Sequence, residues 1–198
     1  VLFRSFGNAS GKNPFGSLML ASNGKMYGMT RDGGSGNGGV IFEYDYINDI
    51  YTKKIDLAGA TGSNPYGTLI QANNGKLYGM TFSGGANGYG VIFEYDYLTN
   101  TYTSKIDLSV ANGGRPYGSL FQAANNKLYG LTNQGGVNNS GVLFAYDYLT
   151  NTYTKKLDFS LLNGRQPKGS LMEAINNKLY GTTTTGGNNN QGVIFEYD

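Results

Sequence analysis

A chain of 198 residues with no histidine and no cysteine lacks the commonest general base, the commonest metal ligand and any thiolate nucleophile. Its chemistry must rest on 13 carboxylates, 15 lysines and arginines, and 17 tyrosines. Most of the carboxylates repeat in a 51-residue register. Glu43, Glu94 and Glu196 share one place, Asp45, Asp96, Asp147 and Asp198 a second, and Asp56, Asp107 and Asp158 a third. Only Asp32, Asp49 and Glu173 have no acidic equivalent. Glycoside cleavage needs two carboxylates within several ångströms of each other, yet Asp32 is expected on one face of the fold and Asp49 and Glu173 on the other. No catalytic pair, metal site or cofactor is expected, and Ala145 interrupts the repeated glutamate. The run Asp32-Gly-Gly-Ser-Gly-Asn-Gly has the composition of a phosphate cradle, but no Gly-Lys-Ser/Thr follows and the loop leads into a strand. It also lacks the tandem nonapeptides of a calcium-binding turn.

The residues that break the register are of another kind. Lys12, Arg115, Arg165 and Lys168 each lie within two residues of a proline, and Arg31 stands alone in a glycine-rich loop. Aromatic rings accompany them: Phe15, Tyr66 and Tyr117 directly follow prolines, with Lys168 in the fourth place, and Phe82 and Tyr89 occupy one loop. Arginine, lysine and exposed rings suit sugar faces, hydroxyls and protein surfaces. Arg31, Phe82, Tyr89, Arg115 and Lys168 are therefore the expected ligand-binding residues, for a neutral or weakly anionic ligand. Whether they meet depends on the elements that carry them.

Those elements follow from the repeat. Pro14, Pro65, Pro116 and Pro167 are spaced 51 residues apart, as are the Lys-Met/Leu-Tyr-Gly segments starting at Lys25, Lys76, Lys127 and Lys178. Each unit reads as four short strands: a near 16 to 22, b near 25 to 30, c near 39 to 46 and d near 50 to 57. Asn23-Gly24 and its counterparts supply the positive φ of a tight a–b hairpin. Strand c runs Val91-Ile92-Phe93 without alternation, as a strand covered on both faces would. Sheets must therefore stack on both sides of it. Four-stranded antiparallel units buried by their neighbours describe a β-propeller blade, with a solenoid of meanders as the competing arrangement. In such a blade the b–c and d–a connections lie on one face, which gathers the odd cations and aromatics there.

The fold expected is thus all-β, a single propeller domain over 1–198 with units near 13–63, 64–114, 115–165 and 166–198 plus 1–12. Residues 1–6 align with strand d, which the last unit lacks, so the N-terminal strand is expected to complete the last blade and close a ring of four. A closed ring would be monomeric; otherwise the chain belongs to a larger array or a homodimer. A net charge of +2 with 14% charged residues leaves no footprint for nucleic acid or a membrane surface. No apolar run approaches the ~20 residues that span a bilayer.

Two resemblances follow from the quoted segments. Lys76-Leu-Tyr-Gly-Met-Thr, the Gly-Gly pair and Val-Ile-Phe-Glu-Tyr-Asp-Tyr resemble a Kelch-type blade, though the chain has no tryptophan. The segment Asn64 to Tyr95 more closely resembles the GloVer tandem repeats of bacterial surface and secreted proteins, and that resemblance covers all four units. It implies export to the extracellular space or cell surface and carries no site residue with it. The function expected is a non-enzymatic recognition or scaffold module that binds a glycan or surface protein through the b–c and d–a face. The alternatives are a purely structural spacer and, with residues from elsewhere, a glycan-active enzyme.

Overall fold

The computed structural model describes residues 5–198 and contains four antiparallel β-propeller blades in succession. The first comprises β1 (Met19–Leu20), β2 (Met26–Thr30), β3 (Val40–Asp45) and β4 (Ile50–Asp56). The second comprises β5 (Ile70–Gln71), β6 (Leu77–Met80), β7 (Val91–Asp96) and β8 (Thr101–Asp107). The third comprises β9 (Phe121–Gln122), β10 (Leu128–Leu131), β11 (Val142–Asp147) and β12 (Thr152–Asp158). The fourth has β13 (Met172–Glu173), β14 (Leu179–Thr182) and β15 (Ile194–Tyr197), three strands among the described residues. The closing strand expected over 1–6 falls, for its first four residues, outside the described residues. Phe6 packs on the first blade, with its ring centroid 5.3 Å from Phe42 and 5.8 Å from Tyr51.

Three cores lie between consecutive sheets, and they explain the unbroken apolar runs. Val91 and Phe93 join Ile41, Met29 and Leu69 between the first two blades, whereas Ile92 joins Leu120, Val142 and Phe144 between the second and third. Val91, Ile92 and Phe93 are all fully buried because the strand is sandwiched. A register shift between Ile92 and Phe93 recurs between Ile41 and Phe42 and between Leu143 and Phe144. This bulge tightens the local twist of each outer pair.

The innermost strand is shorter than the repeat pattern predicts, spanning two residues rather than about seven. The reason is a competing partner. Ser17 N–H donates to Thr68 Oγ1 (2.8 Å), Thr68 N–H to Ser119 Oγ (2.7 Å) and Ser119 N–H to Ser170 Oγ (2.8 Å), so this stretch bonds to the next blade instead of its own ladder. Glycines allow that approach. A Cβ on Gly16, Gly67 or Gly118 would stand 2.7, 2.8 or 2.7 Å from the carbonyl carbon of the next blade's glycine.

Candidate functional site

The connections that precede the innermost strand and those that follow β2, β6, β10 and β14 are bound together. Isolated bridges pair Lys12 with Asp32, Ser63 with Ser83, Gly114 with Gln134 and Arg165 with Thr185. This brings each residue after a proline near the loop that follows the second strand, and adjacent blades place those pairs side by side.

The result is a continuous cluster of rings. Phe15 lies 5.0 Å from Tyr66, Tyr66 4.9 Å from Tyr117 and 5.3 Å from Phe82, and Phe82 4.9 Å from Tyr117, all between centroids. Cations sit on it in sequence. The Arg31 guanidinium carbon is 5.8 Å from the centroid of Phe15 and 5.3 Å from that of Tyr66. The Arg115 guanidinium lies between Phe82 at 5.0 Å and Tyr89 at 5.3 Å, and Lys168 Nζ is 5.3 Å from Tyr117. All five expected binding residues therefore belong to one patch spanning three blade junctions. Each contact falls within the ~6 Å at which a ring quadrupole attracts a cation.

The backbone shows how Arg115 is placed. It has φ 55°, a left-handed conformation whose equivalents at Asn13 and Asn64 are asparagines. Asparagine adopts that region readily, whereas a long side chain costs roughly 1 kcal/mol there. Arg115 is held in it by its N–H donating to the Tyr89 carbonyl at 2.8 Å, so Tyr89 contributes both backbone and ring. Arg31 is fixed differently. Its carbonyl accepts from Asn64 Nδ2 at 3.1 Å, its Nη1 is 3.7 Å from Asp32 Oδ2, and its Nε is buried without a hydrogen-bond partner. Asp32 is itself held by Asn13 and Asn64 at 2.9 and 3.1 Å. Among the described residues no carboxylate pairs with Arg115 or Lys168, so the patch carries three cations and one carboxylate.

Phe15, Tyr66 and Tyr117 form the spine of this patch, although the residues that break the repeat were the ones singled out as binders. The signal was present: an aromatic follows three of the four prolines. Two other odd cations do not join. Neither Lys12 nor Arg165 lies over a ring among the described residues, and Arg165 Nε is buried without a hydrogen-bond partner.

The carboxylates on the opposite face have local duties. Tyr27 and Tyr78 donate their hydroxyls to Glu43 and Glu94. Lys25 pairs with Asp45 at 2.7 Å and Lys76 with Glu94 at 3.1 Å. The hydrogen bonds from Lys25 and then Asn48 hold the Asp45 carboxyl well below its ordinary range. Burial works against the Glu94 carboxylate, but hydrogen bonds from Tyr78 and Lys76 outweigh it and keep its pKa below the usual value. Asp49 accepts from Tyr44 at 2.8 Å in the place where Asn100 and Asn151 accept from Tyr95 and Tyr146. Glu173 accepts from the Ala124 N–H at 2.9 Å, as Gln71 accepts from Ser22.

Comparison with known proteins bears on the repeat and the fold. The family described as the Gloeobacter/Verrucomicrobia repeat matches residues 1–148 and 58–198. No curated protein matches the sequence. The extracellular domain of a one-component system from B. thetaiotaomicron is 13% identical, with a TM-score of 0.58 over 92% of this chain and 21% of that one. TolB from Acinetobacter baumannii gives 13% identity and a TM-score of 0.58 over 92% of this chain and 40% of that one. A gluconolactonase from Xanthomonas campestris gives 14% and 0.55 over 91% of this chain and 60% of that one. The chain thus spans between a fifth and three fifths of the length of these propeller-like structures. At such identities they show the fold alone.

Proposed function

The chain belongs to the Gloeobacter/Verrucomicrobia repeat family, and we propose that it is an extracellular, non-enzymatic recognition module that binds a glycan or surface protein on the face carrying Arg31, Phe82, Tyr89, Arg115 and Lys168. One observation carries this reading: five residues that differ between blades, Arg31, Phe82, Tyr89, Arg115 and Lys168, converge into a cation and aromatic patch. Residues needed merely to build a blade recur in every blade. Left-handed Arg115 strengthens the reading, since asparagine at that position would serve the backbone better.

The ligand class follows from the charge. Three cations beside one carboxylate favour a weakly anionic or hydroxyl-rich group, and the exposed ring of Phe15, backed by half-buried Tyr66, offers apolar area for a sugar ring or side chain. Attraction is modest because exposed charges are screened over ~8 Å at physiological ionic strength. The non-enzymatic reading is supported by the structural partners of Glu43, Glu94, Asp45, Asp32, Asp49 and Glu173. An extracellular setting is supported by the resemblance to repeats of surface and secreted proteins and by the likeness to an extracellular domain.

A spacer role is the second reading, favoured by the fact that each of the three cations already lies on an internal ring. A glycan and surface-protein binding screen with the purified chain separates the two. For a ligand found there, replacing Arg31, Arg115 and Lys168 together by alanine weakens binding at least ~10-fold, about 1.4 kcal/mol. Replacing Lys25, Lys76 and Lys127 leaves it unchanged, because those lysines pair with Asp45, Glu94 and Asp147 on the opposite face. Equal loss in both variants, or no ligand in the screen, removes the recognition reading.

A further inference from the structure

We propose that the third blade holds a binding site for a small carboxylate, acetate or the CH2–COO⁻ end of a larger acid, in the space that a glutamate side chain fills in the other three blades. The site lies on the face opposite the recognition patch and stands apart from it. In the first, second and fourth blades a tyrosine and a glutamate face each other across the second and third strands: Tyr27 and Glu43, Tyr78 and Glu94, Tyr180 and Glu196. Each tyrosine hydroxyl accepts from an asparagine and donates to that carboxylate. Lysines close in from both sides. On the outer strand Lys54 Nζ is 3.8 Å from Glu43 and Lys105 Nζ 3.9 Å from Glu94, while Lys76 Nζ, ahead of the second strand, is 3.1 Å from Glu94.

The third blade keeps every one of these donors and lacks the acceptor. Tyr129 faces Ala145, Lys127 precedes β10, and Lys156 lies on β12. The Tyr129 hydroxyl accepts from Asn125 Nδ2 at 2.9 Å, but among the described residues its own proton has no acceptor, although the residue is only 7% exposed. A buried donor left without an acceptor is costly, so an acceptor brought from outside is favoured there. Lys156 makes no hydrogen bond or ion pair among the described residues and is exposed, whereas the side chains of Lys54 and Lys105 are 18 and 19% exposed beside their glutamates. Lys127 reaches Asp147 at 3.6 Å and no other carboxylate among the described residues.

Charge and space are left over together. The first blade sets Lys25 and Lys54 against Glu43 and Asp45, and the second sets Lys76 and Lys105 against Glu94 and Asp96, whereas the third sets Lys127 and Lys156 against Asp147 alone. Glu173 of the fourth blade shares a neighbouring cavity with Lys156, but its carboxylate accepts from the Ala124 N–H at 2.9 Å and pairs with neither lysine among the described residues. A cavity of about 140 Å³ is lined by Lys127, Ala145, Asp147, Thr154 and Lys156 among others, well above the ~15 Å³ that admits a water. What alanine lacks beyond Cβ, relative to glutamate, is a CH2–COO⁻ group, which is acetate less one hydrogen. A free acid with that end supplies the missing acceptor and the missing charge at once. The residues concerned belong to a four-stranded blade with a neighbour on either side.

Sodium acetate is the probe, with sodium chloride at equal ionic strength as its control. In NMR titrations the backbone amides of Tyr129, Ala145 and Lys156 are expected to shift together and saturate, with a half-effect at ~1–10 mM, as suits a ligand of four heavy atoms. Melting temperature is expected to rise in acetate relative to chloride, because the ligand binds the folded chain. Tyr129→Phe is expected to weaken acetate about 10-fold through the lost hydrogen bond to a charged group. Lys156→Gln, at an exposed position, is expected to weaken it about 3-fold, as one exposed ion pair would. Ala145→Glu supplies the carboxylate from the chain itself and is expected to abolish the response; should that variant fail to fold, the other two decide. No saturable shift up to ~100 mM acetate, where a site of this strength is nearly full, overturns the proposal. So does an equal response to chloride, an affinity unchanged in Tyr129→Phe or in Lys156→Gln, or a folded Ala145→Glu chain that responds as the wild type does.

Discussion

The two faces of the blade stack treat polar residues in opposite ways. On the face of the a–b and c–d turns, lysine, tyrosine and carboxylate recur in register and satisfy one another within a blade, as Lys76, Tyr78 and Glu94 do. On the other face, Arg31, Arg115 and Lys168 appear once each and reach across blade junctions to rings. For these charged side chains repetition goes with pairing inside a blade, and variation with contact between blades. A repeated residue can find a partner in its own unit or at the repeated position of the next, as Ser17, Thr68 and Ser119 do, whereas an unrepeated one must use whichever neighbour the stacking brings near.

The strongest way to break this comparison is to attack the stacking on which the variable face depends. Gly67→Ala places a Cβ against the Gly118 carbonyl, and backbone on both sides cannot yield. A loss of about 3 kcal/mol in chemical denaturation is expected, typical of severe overpacking. Gly75→Ala, with φ 81° but open space around it, is expected to cost only about 1 kcal/mol.

Alkaline pH tests how each blade holds the connection that enters it. Burial pushes the Tyr51 hydroxyl up to about 12, and raises those of Tyr102 and Tyr153 too. Each donates to a carbonyl of the connection entering its own blade: Ser10, Thr61 and Asn112. The unfolded chain ionises at about 10, so this stabilisation is full below pH 10 and is lost as pH rises toward 12. Melting temperature is expected to fall across that window, and a flat profile would remove these tyrosines from the account.

The repeated face can be sharpened by its own exception. Tyr78→Phe removes a hydroxyl from Glu94 and is expected to cost about 2 kcal/mol, as hydrogen bonds to charged groups do. Tyr129→Phe is expected to cost about 0.5 kcal/mol, since Ala145 stands in the glutamate's place and, among the described residues, only Asn125 bonds that hydroxyl. Equal losses would show that the tyrosine rather than the pair matters. The smallest effect is expected at Arg115→Asn, where relief of left-handed strain offsets two cation–ring contacts to within about 1 kcal/mol. Ligand binding, not stability, is where that variant should show a loss.

By itself the sequence determined the blade. The 51-residue register, the Asn-Gly hairpins and the consecutive apolar residues of Val91 to Phe93 are local statements about turn geometry and two-sided burial, and they need no knowledge of distant contacts. It also separated Arg31, Phe82, Tyr89, Arg115 and Lys168 from the scaffold, because a residue that breaks an internal symmetry is visible without a structure. Tertiary structure alone decided the rest. Strand a shrank to two residues because Ser17, Thr68 and Ser119 bond to the next blade, a partner that lies outside the unit. Lys12 and Arg165 are as irregular in sequence as Arg115, yet only Arg115 lies between two rings. The angle at which one blade meets the next sets which side chains come within 6 Å, and that angle is fixed by the packing of whole sheets rather than by any segment of the chain.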